Sequence, residues 1–165
     1  MSAEARLTEL GVTLPSAPPA AAAYVPTVAS CGLLFIAGQV AVGEQGLLAT
    51  GKVGGAVDLD TGVACARQCA LNVLAQLRAA LGTLDRVARV VKLTVFVASD
   101  PSFTQQHLVA NGASELLADV FGDAGRHARS AVGVPALPLD SPVEVEAIVE
   151  MRTDGRDDGS TTAPR

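Results

Sequence analysis

The stretch that decides the fold is VEVEAIVEM, which runs from Val143 to Met151. Valine and alanine alternate there with glutamate and isoleucine, and a side-chain period of two indicates a strand with one buried face. A second alternating stretch, from Arg89 to Ala98, predicts another strand with one largely apolar side. Apolar faces of this kind must be covered by another layer, so we expect a sheet packed against helices.

Two helices are predicted beside these strands. The first begins after capping candidates at residues 58–61 and ends before Gly82. The second is expected from about Phe103 to Phe121, although the pair Asn111-Gly112 weakens its middle. The apolar stripe of the first helix contains Ala66, Ala70, Val73, Leu74, Leu77 and Leu81. Its small alanines would let this helix lie close against a sheet.

Residues 27–42 predict a β-hairpin. The apolar run from Gly32 to Ala37 follows a turn-like Ser30-Cys31-Gly32 and is followed by Gly38. Gly38 is expected to mark a bulge or a close approach of another group, since glycine weakens a regular strand. The order of all elements predicts an α+β fold, with one mixed sheet and two helices packed on one of its faces.

The last two predicted strands carry the residues best suited to chemistry. Arg129 to Val134 is β-compatible, and three prolines within residues 135–142 make a corner before the final strand. We expect an antiparallel hairpin, with Arg129 near the strand that carries Glu144 and Glu146 on one face. A guanidinium fork can bind a ligand carboxylate through two hydrogen bonds. An Arg–Glu pair on an exposed sheet face fits the same pattern, and periodicity alone favours it.

Length and composition restrict the class of protein. The chain has 165 residues, of which 49% are hydrophobic and 18% charged, as in a single folded domain. Its net charge is -5 and its aromatic content is 3%, so it lacks the cations and stacking rings that hold nucleic acid. No run approaches the ~18 apolar residues of a membrane span, and Glu4 and Glu9 stand where a signal peptide is basic. We expect a cytoplasmic protein that binds neither nucleic acid nor membrane.

Cysteine and histidine give no sign of a metal site or a nucleophile. Cys65 and Cys69 share a helical face without a companion ligand, and together with Cys31 they are expected to be small buried thiols. His107 and His127 have no Ser-His-Asp spacing around them, so each is expected to be a surface or capping group. The glycines lack the lysine of a phosphate-binding loop. We predict no metal and no cofactor.

The C-terminal sequences resemble a known family. ARSAVGVPALP at residues 128–138, followed by VEVEA at residues 143–147, is similar to the C-terminal signature of the reactive intermediate deaminase A family (RidA, formerly YjgF). Other blocks of that family are matched in the same order at Tyr24-Val25 and at residues 34–39, 72–74 and 90–97.

The resemblance implies an architecture. It covers most of residues 24–152 and implies the chorismate-mutase-like α+β fold, assembled as a homotrimer with clefts between subunits. Residues 1–23 are then an N-terminal extension of the RidA-like domain at residues 24–152. The polar tail at residues 153–165 is expected to be mobile, because it has almost no apolar residues to offset its ordering entropy.

The resemblance also implies roles for five residues. In deaminating members, Arg129 would hold the carboxylate of a 2-imino or 2-enamino acid, Tyr24 would help to close the cleft, and Glu144 would help to position water. Ala37 and Ala131 occupy two further substrate-binding positions. An iminium carbon is already electrophilic, so such an enzyme mainly binds the acid, orients water and assists proton transfer.

The sequence departs from the better-known deaminases at three positions. Ala131 stands where they carry cysteine, Ala37 where they usually carry serine, and Pro26 where they carry a polar residue. Two other functions therefore stay open. One is a non-catalytic module that binds small molecules resembling 2-oxo acids; the other, which charge and aromatic content disfavour, is a ribonuclease or translation inhibitor.

Overall fold

The alternating strands form the middle of a five-stranded mixed sheet in the computed structural model, which describes residues 1–20 and 22–152. The strands are β1 (Thr27–Ser30), β2 (Leu33–Val40), β3 (Val42–Gly43), β4 (Gly46–Leu47), β5 (Val87–Ala98), β6 (Ala128–Val134) and β7 (Val143–Met151). β3 and β4 pair with each other, and the others follow the order β1-β2-β7-β5-β6. Only β5 and β6 are parallel among these neighbours of the described chain.

Helices cover one face of this sheet. They are α1 (Ala3–Glu9), α2 (Leu59–Leu81), α3 (Gln106–Val109) and α4 (Asn111–Phe121). α2 begins where the Asp58 carboxylate accepts a hydrogen bond of 2.8 Å from the Thr61 amide, and it ends at Gly82, whose φ is 81°. Both predicted helices are confirmed, the second being divided into α3 and α4. The prediction of an α+β fold with a mixed sheet is confirmed as well.

Gly112, which weakens α4 as an isolated helix, lets α4 approach α2. A Cβ atom at this position would overlap the backbone carbonyl oxygen of Val63 on α2. The approach buries Leu116 and Leu117 of α4 in the core shared with α2. Packing between the helices therefore outweighs the helix propensity that this glycine lacks.

The predicted hairpin of β1 and β2 is confirmed. Its turn places Cys31 at φ 50° and Gly32 at φ 77°, the left-handed pair that a two-residue hairpin turn needs. The register of β2 against β7 shifts between Ile36 and Gln39, so Gly38 lies in a bulge. The side-chain amide of Gln39 stabilises the bulge by donating hydrogen bonds to the carbonyl oxygens of Ala37 at 3.0 Å and Gly38 at 3.2 Å.

The prediction of a C-terminal hairpin is wrong. β6 pairs only with β5 within the described chain, and β7 lies between β2 and β5. Two facts explain this arrangement. The helical crossover through α3 and α4 returns the chain to the same end of the sheet, so β6 runs parallel to β5. β7 buries Val143, Val145 and Val149 completely, and a strand of this kind stabilises the sheet most when it is central.

The N-terminal residues pack against the body of the protein. Leu7 of α1 is buried in the core, and Glu4 accepts a hydrogen bond of 2.6 Å from Arg78 of α2 and another of 3.0 Å from the Leu84 amide. Further along, the Pro18 carbonyl accepts a 2.6 Å hydrogen bond from the buried amide of Gln76. The segment predicted as an extension therefore covers α2 and the turn that follows it.

Three other predictions have different outcomes. Cys65 and Cys69 are buried as expected, but Cys31 is exposed, because it occupies the hairpin turn instead of a packed face. The predicted mobile tail at residues 153–165 lies outside the described residues. In the part of the chain that is described, no helix is both long and apolar enough to cross a membrane.

Candidate functional site

Arg129 lies on β6 at one edge of the sheet, and its side chain points toward the helices. In the parallel register it lies beside Leu93, which is fully buried in the core. Its Nη1 donates to Asn111 Oδ1 at 3.0 Å and to Ser114 Oγ at 2.9 Å, and its Nη2 donates to the His107 carbonyl at 3.0 Å. Acceptors from α3 and α4 thus hold the guanidinium group on three sides.

These three bonds use only part of the Arg129 fork. A guanidinium carries five N–H donors, two on each Nη and one on Nε. Both donors of Nη1 and one of Nη2 have acceptors in the described chain, which leaves Nε–H and the second Nη2–H. Nε and Nη2 share one edge of the planar group, the edge that binds a carboxylate side-on.

Ser114 links Arg129 to His127. The Ser114 hydroxyl and His127 Nε2 are 3.1 Å apart, and His127 Nδ1 lies 2.7 Å from the Gly125 carbonyl oxygen. A carbonyl only accepts, so Nδ1 carries the proton and Nε2 accepts from Ser114. Burial lowers the pKa of His127, and the nearby positive charge of Arg129 lowers it further. His127 is therefore neutral near pH 7 and keeps this direction of hydrogen bonding.

The sequence alone does not identify Asn111, Ser114 and His127 as members of a site. Asn111 and Ser114 are three residues apart on α4 and so share a helical face. This spacing is the one feature of the sequence that indicates that the two side chains could act together. Ser114 and His127 come together because the chain turns back after α4, in a short helix at Gly122–Gly125. The expected surface or capping role of His127 omits its contact with Ser114.

Glu144 lies on the face of the sheet opposite to the helices. On β7 it is paired with Phe96 of β5 and Val40 of β2, and its side chain shares a side with Glu146. A Cβ atom on Gly38 would overlap the Glu144 carboxyl group, so the carboxylate lies over the bulge of β2. Burial raises the pKa of Glu144, and the charge of Glu146 raises it further.

Tyr24 and Ala37 lie on the same part of the protein as this bulge. Tyr24 is exposed, and Pro26, two residues later, accepts a hydrogen bond of 2.9 Å from the Ala37 amide. Ala37 lines a depression of about 290 Å³ on the open face of the sheet, together with Val25 and Glu146. The segment at residues 24–26 therefore borders the β2 bulge.

The five predicted site residues form two groups. Ala37 and Glu144 lie on β2 and β7, with the segment that contains Tyr24 beside β2. Arg129 and Ala131 lie on β6, where Ala131 packs against the core. β5 separates β6 from β7, so two strand spacings, or about 10 Å, lie between them. Arg129 and Glu144 also point to opposite faces of the sheet. The expected Arg–Glu neighbours of a hairpin are therefore not neighbours within one chain.

The described residues contain no group of three or more His, Cys, Asp and Glu side chains placed to hold a metal ion. The buried cysteines are also poor ligands or nucleophiles. Burial raises the pKa of Cys65 to about 11 and that of Cys69 well above its ordinary value. Both thiols stay protonated at neutral pH, when a nucleophile or metal ligand would have to be a thiolate.

Fold and site together define a class of small α+β protein: a mixed sheet with helices on one face, an anchored arginine at its edge and a half-buried glutamate on its open face. A family model described as "YjgF/chorismate_mutase-like, putative endoribonuclease" matches residues 4–151. The chain belongs to this YjgF/RidA family.

Several relatives support this membership. The chain is 52% identical to Protein TCP17 of Trypanosoma cruzi over 148 residues, which cover 89% of this chain and 92% of the relative. The crystal structure of Atu1372 from Agrobacterium tumefaciens matches with a TM-score of 0.85 and 50% identity, covering 91% of this chain and 92% of that one. E. coli TdcF with bound serine matches with a TM-score of 0.58 and 29% identity, covering 83% and 94%.

Proposed function

We propose that this protein hydrolyses small 2-imino or 2-enamino acids to 2-oxo acids and ammonia. The observation that carries the proposal is the hydrogen bonding of Arg129: three acceptors anchor its guanidinium group, while Nε–H and one Nη2–H have no acceptor in the described chain and can serve an anion. The serine bound to the related TdcF supports it, because serine carries a carboxylate next to a carbon–nitrogen bond. A 2-imino acid presents the same two groups in the same relation.

Glu144 suits the second part of the reaction. Water adds to the carbon of the protonated imine: the C–O bond forms, the π electrons of the C=N bond move to nitrogen, and the first proton of the water passes to Glu144. Glu144 then returns this proton to the nitrogen, and the C–N bond breaks with its electron pair leaving as ammonia. The hydroxyl proton of the intermediate passes back to Glu144 as the C=O bond of the 2-oxo acid forms. The raised pKa of Glu144 brings this carboxyl group closer to the working pH of a proton carrier.

We infer that the site is completed between two subunits of a homotrimer. Arg129 and Glu144 lie on different strands and opposite faces of one subunit, so a second copy must supply one of them to a shared ligand. The open face also offers apolar surface for such a contact: Val28 is 52% exposed, Phe35 41% and Val132 42%. The residues of the two groups would then meet across the interface.

Release of ammonia from an imino acid generated in situ tests the proposal. Arg129→Ala should reduce kcat/KM at least about 100-fold, because a carboxylate loses its charged, two-pronged partner. Arg129→Lys should also be impaired, since an ammonium group cannot reproduce that geometry. Arg67→Ala, which removes an exposed arginine from α2, is the matched control and should retain activity. Equal rates for wild type and Arg129→Ala would reject the proposal.

A binding module without catalysis is the second candidate, favoured by the alanines at positions 37 and 131. It predicts a wild type that releases no ammonia yet binds a 2-oxo acid through Arg129. The endoribonuclease activity in the family description is a third candidate, which the net charge of -5 disfavours. Incubation with single-stranded RNA distinguishes it. If the wild type cleaved the RNA and Arg129→Ala did not, a ribonuclease function would replace the deaminase proposal.

A further inference from the structure

We propose that Asn111, Ser114 and His127 are positioning residues that orient Arg129 so that its Nε–Nη2 edge faces the ligand carboxylate. This inference rests on the proposed function, because it assumes that Arg129 binds an acid. The three residues come from α4 and the segment just before β6, and none of them was singled out as part of a site by the sequence.

Three hydrogen bonds account for the orientation of the Arg129 guanidinium group. Asn111 and Ser114 occupy both hydrogens of Nη1, so the guanidinium plane cannot rotate about the Nε–Cζ bond without losing both bonds. The His107 carbonyl binds Nη2 and prevents a tilt at the other end. A free arginine samples many rotamers, and fixing the group beforehand lowers the entropy lost when a ligand binds.

His127 determines which way the Ser114 hydroxyl points. Because Nδ1 of His127 donates to Gly125, Nε2 can only accept, and it takes the hydroxyl hydrogen of Ser114. The lone pairs of Ser114 Oγ are then left for Nη1 of Arg129, at 2.9 Å. The chain of hydrogen bonds thus runs from Arg129 through Ser114 to His127 and ends at the Gly125 carbonyl.

All the partners of Arg129 in this cluster are uncharged. They are an amide oxygen, a hydroxyl and a backbone carbonyl, so they hold the guanidinium without neutralising it. A carboxylate in their place would hold the group equally well but would compete with an anionic ligand. The neutral cluster therefore restrains the geometry of Arg129 and leaves its charge for the substrate.

Two measurements test this inference separately from the proposed function. The first needs no ligand: side-chain nitrogen NMR should resolve two Nη signals for Arg129 in the wild type, because rotation about Nε–Cζ is slow. Asn111→Leu and Ser114→Ala should merge these signals by releasing Nη1. Ser114→Thr keeps a hydroxyl and should restore the separation. Ser102→Ala removes a hydroxyl that donates to Asp100 in its own turn, and it should leave the Arg129 signals unchanged.

The second measurement is binding of 2-oxobutanoate, a stable analogue of an imino acid. Asn111→Leu and Ser114→Ala should each weaken it about tenfold, while Ser114→Thr and Ser102→Ala bind as the wild type does. In turnover, Asn111→Leu and Ser114→Ala should raise KM and leave kcat nearly unchanged. Asn111→Asp should keep the two Nη signals of Arg129 apart, because a carboxylate still holds Nη1. It should nevertheless weaken 2-oxobutanoate binding, because its negative charge offsets the positive charge of Arg129.

The outcomes separate the two proposals. Merged Nη signals in the wild type, or full 2-oxobutanoate affinity in both Asn111→Leu and Ser114→Ala, would overturn the positioning role while leaving Arg129 as the anchor. If the wild type binds no 2-oxobutanoate and releases no ammonia, the proposed function fails, and the positioning role toward a ligand fails with it. Merged signals in the variants, together with loss of affinity and rescue by Ser114→Thr, would support the inference.

Discussion

Gly38 and Glu144 depend on each other sterically. Gly38 does not have a positive φ, so its importance lies in the absent side chain and not in its backbone conformation. The Glu144 carboxyl group occupies the volume that a Cβ atom would take. The sequence predicts a bulge or a close approach at this glycine, and both are present; the identity of the approaching group depends on how β2 and β7 pair.

Gly38→Ala should therefore destabilise the protein by about 1–3 kcal/mol, because the added methyl group forces Glu144 and the bulge apart. Denaturant unfolding measures this change. Gly55→Ala, where the nearest atom to an added Cβ is at an ordinary 3.5 Å, is the control and should cost far less. The cost of Gly38→Ala should shrink when Glu144 is also shortened to alanine; a cost that stays the same would show that Glu144 is not the obstacle.

Glu144 is expected to reduce stability near neutral pH. Its pKa is raised in the folded state, by burial first and by Glu146 second, so the folded protein holds this proton to a higher pH than the unfolded chain. The contribution of protonated Glu144 to the free energy of unfolding is therefore present at low pH, and it is lost as pH rises through the raised pKa. Glu144→Gln should thus raise the melting temperature at pH 7.5, and the gain should vanish toward pH 4.

The same variant should lower kcat more than it raises KM if Glu144 handles the proton of water. Glu146→Gln, on the same face one position further along, should change turnover little, although it too relieves repulsion with Glu144. Kinetics of the two variants on one imino acid distinguish the roles. Equal and small effects would leave Glu144 with no function in turnover.

At the scale of elements, periodicity predicts each main strand and helix but not every neighbour. The alternation of β7 reveals a buried face of valines, yet it does not reveal whether β2, β5 or β6 lies beside it. The expected hairpin of β6 and β7 is the shortest connection, and it is wrong because the chain crosses the end of β5 before β7 begins, so that β7 lies between β5 and β2. The partners of Arg129 were missed for the same reason, since α3 and α4 reach it only when β6 occupies the edge.

Helix propensity and packing make opposite predictions for Gly112. Propensity favours Gly112→Ala by about 1 kcal/mol in the middle of the single helix that the sequence predicts, and by less in the first turn of α4, where Gly112 lies. The structure predicts destabilisation of about 1–3 kcal/mol, because the new methyl group would overlap the Val63 carbonyl and push α4 away from α2. Thermal unfolding gives the sign. Gly62→Ala places its Cβ atom against valine side chains at 3.3–3.4 Å, which must shift by a few tenths of an ångström, so it should cost less than Gly112→Ala. Stabilisation by Gly112→Ala would contradict the packing argument.

At the scale of the whole molecule, the sequence indicates the family and predicts site residues, but the geometry of a single chain divides those predicted residues into two groups. Ala37 and Glu144 lie at the β2 bulge, beside the segment that contains Tyr24, whereas Arg129 lies at the β6 edge on the other face. No pattern within a single chain specifies which surfaces of two copies meet. The cleft between subunits therefore stays a prediction, and it has a direct test.

Two inactive variants should restore activity when they share one trimer. If Arg129 of one subunit and Glu144 of another form each site, a site is intact when the first subunit carries Glu144→Gln and the second carries Arg129→Ala. When equal amounts of the two variants mix at random, each of the two subunits that form a site is the required variant in about half of the cases. About a quarter of the sites are therefore intact. Coexpressed Arg129→Ala and Glu144→Gln chains should thus recover about a quarter of wild-type turnover, while each variant alone stays inactive. Light scattering should give the mass of three chains for every sample, and trimers without recovered activity would reject a site that combines Arg129 and Glu144 from two subunits.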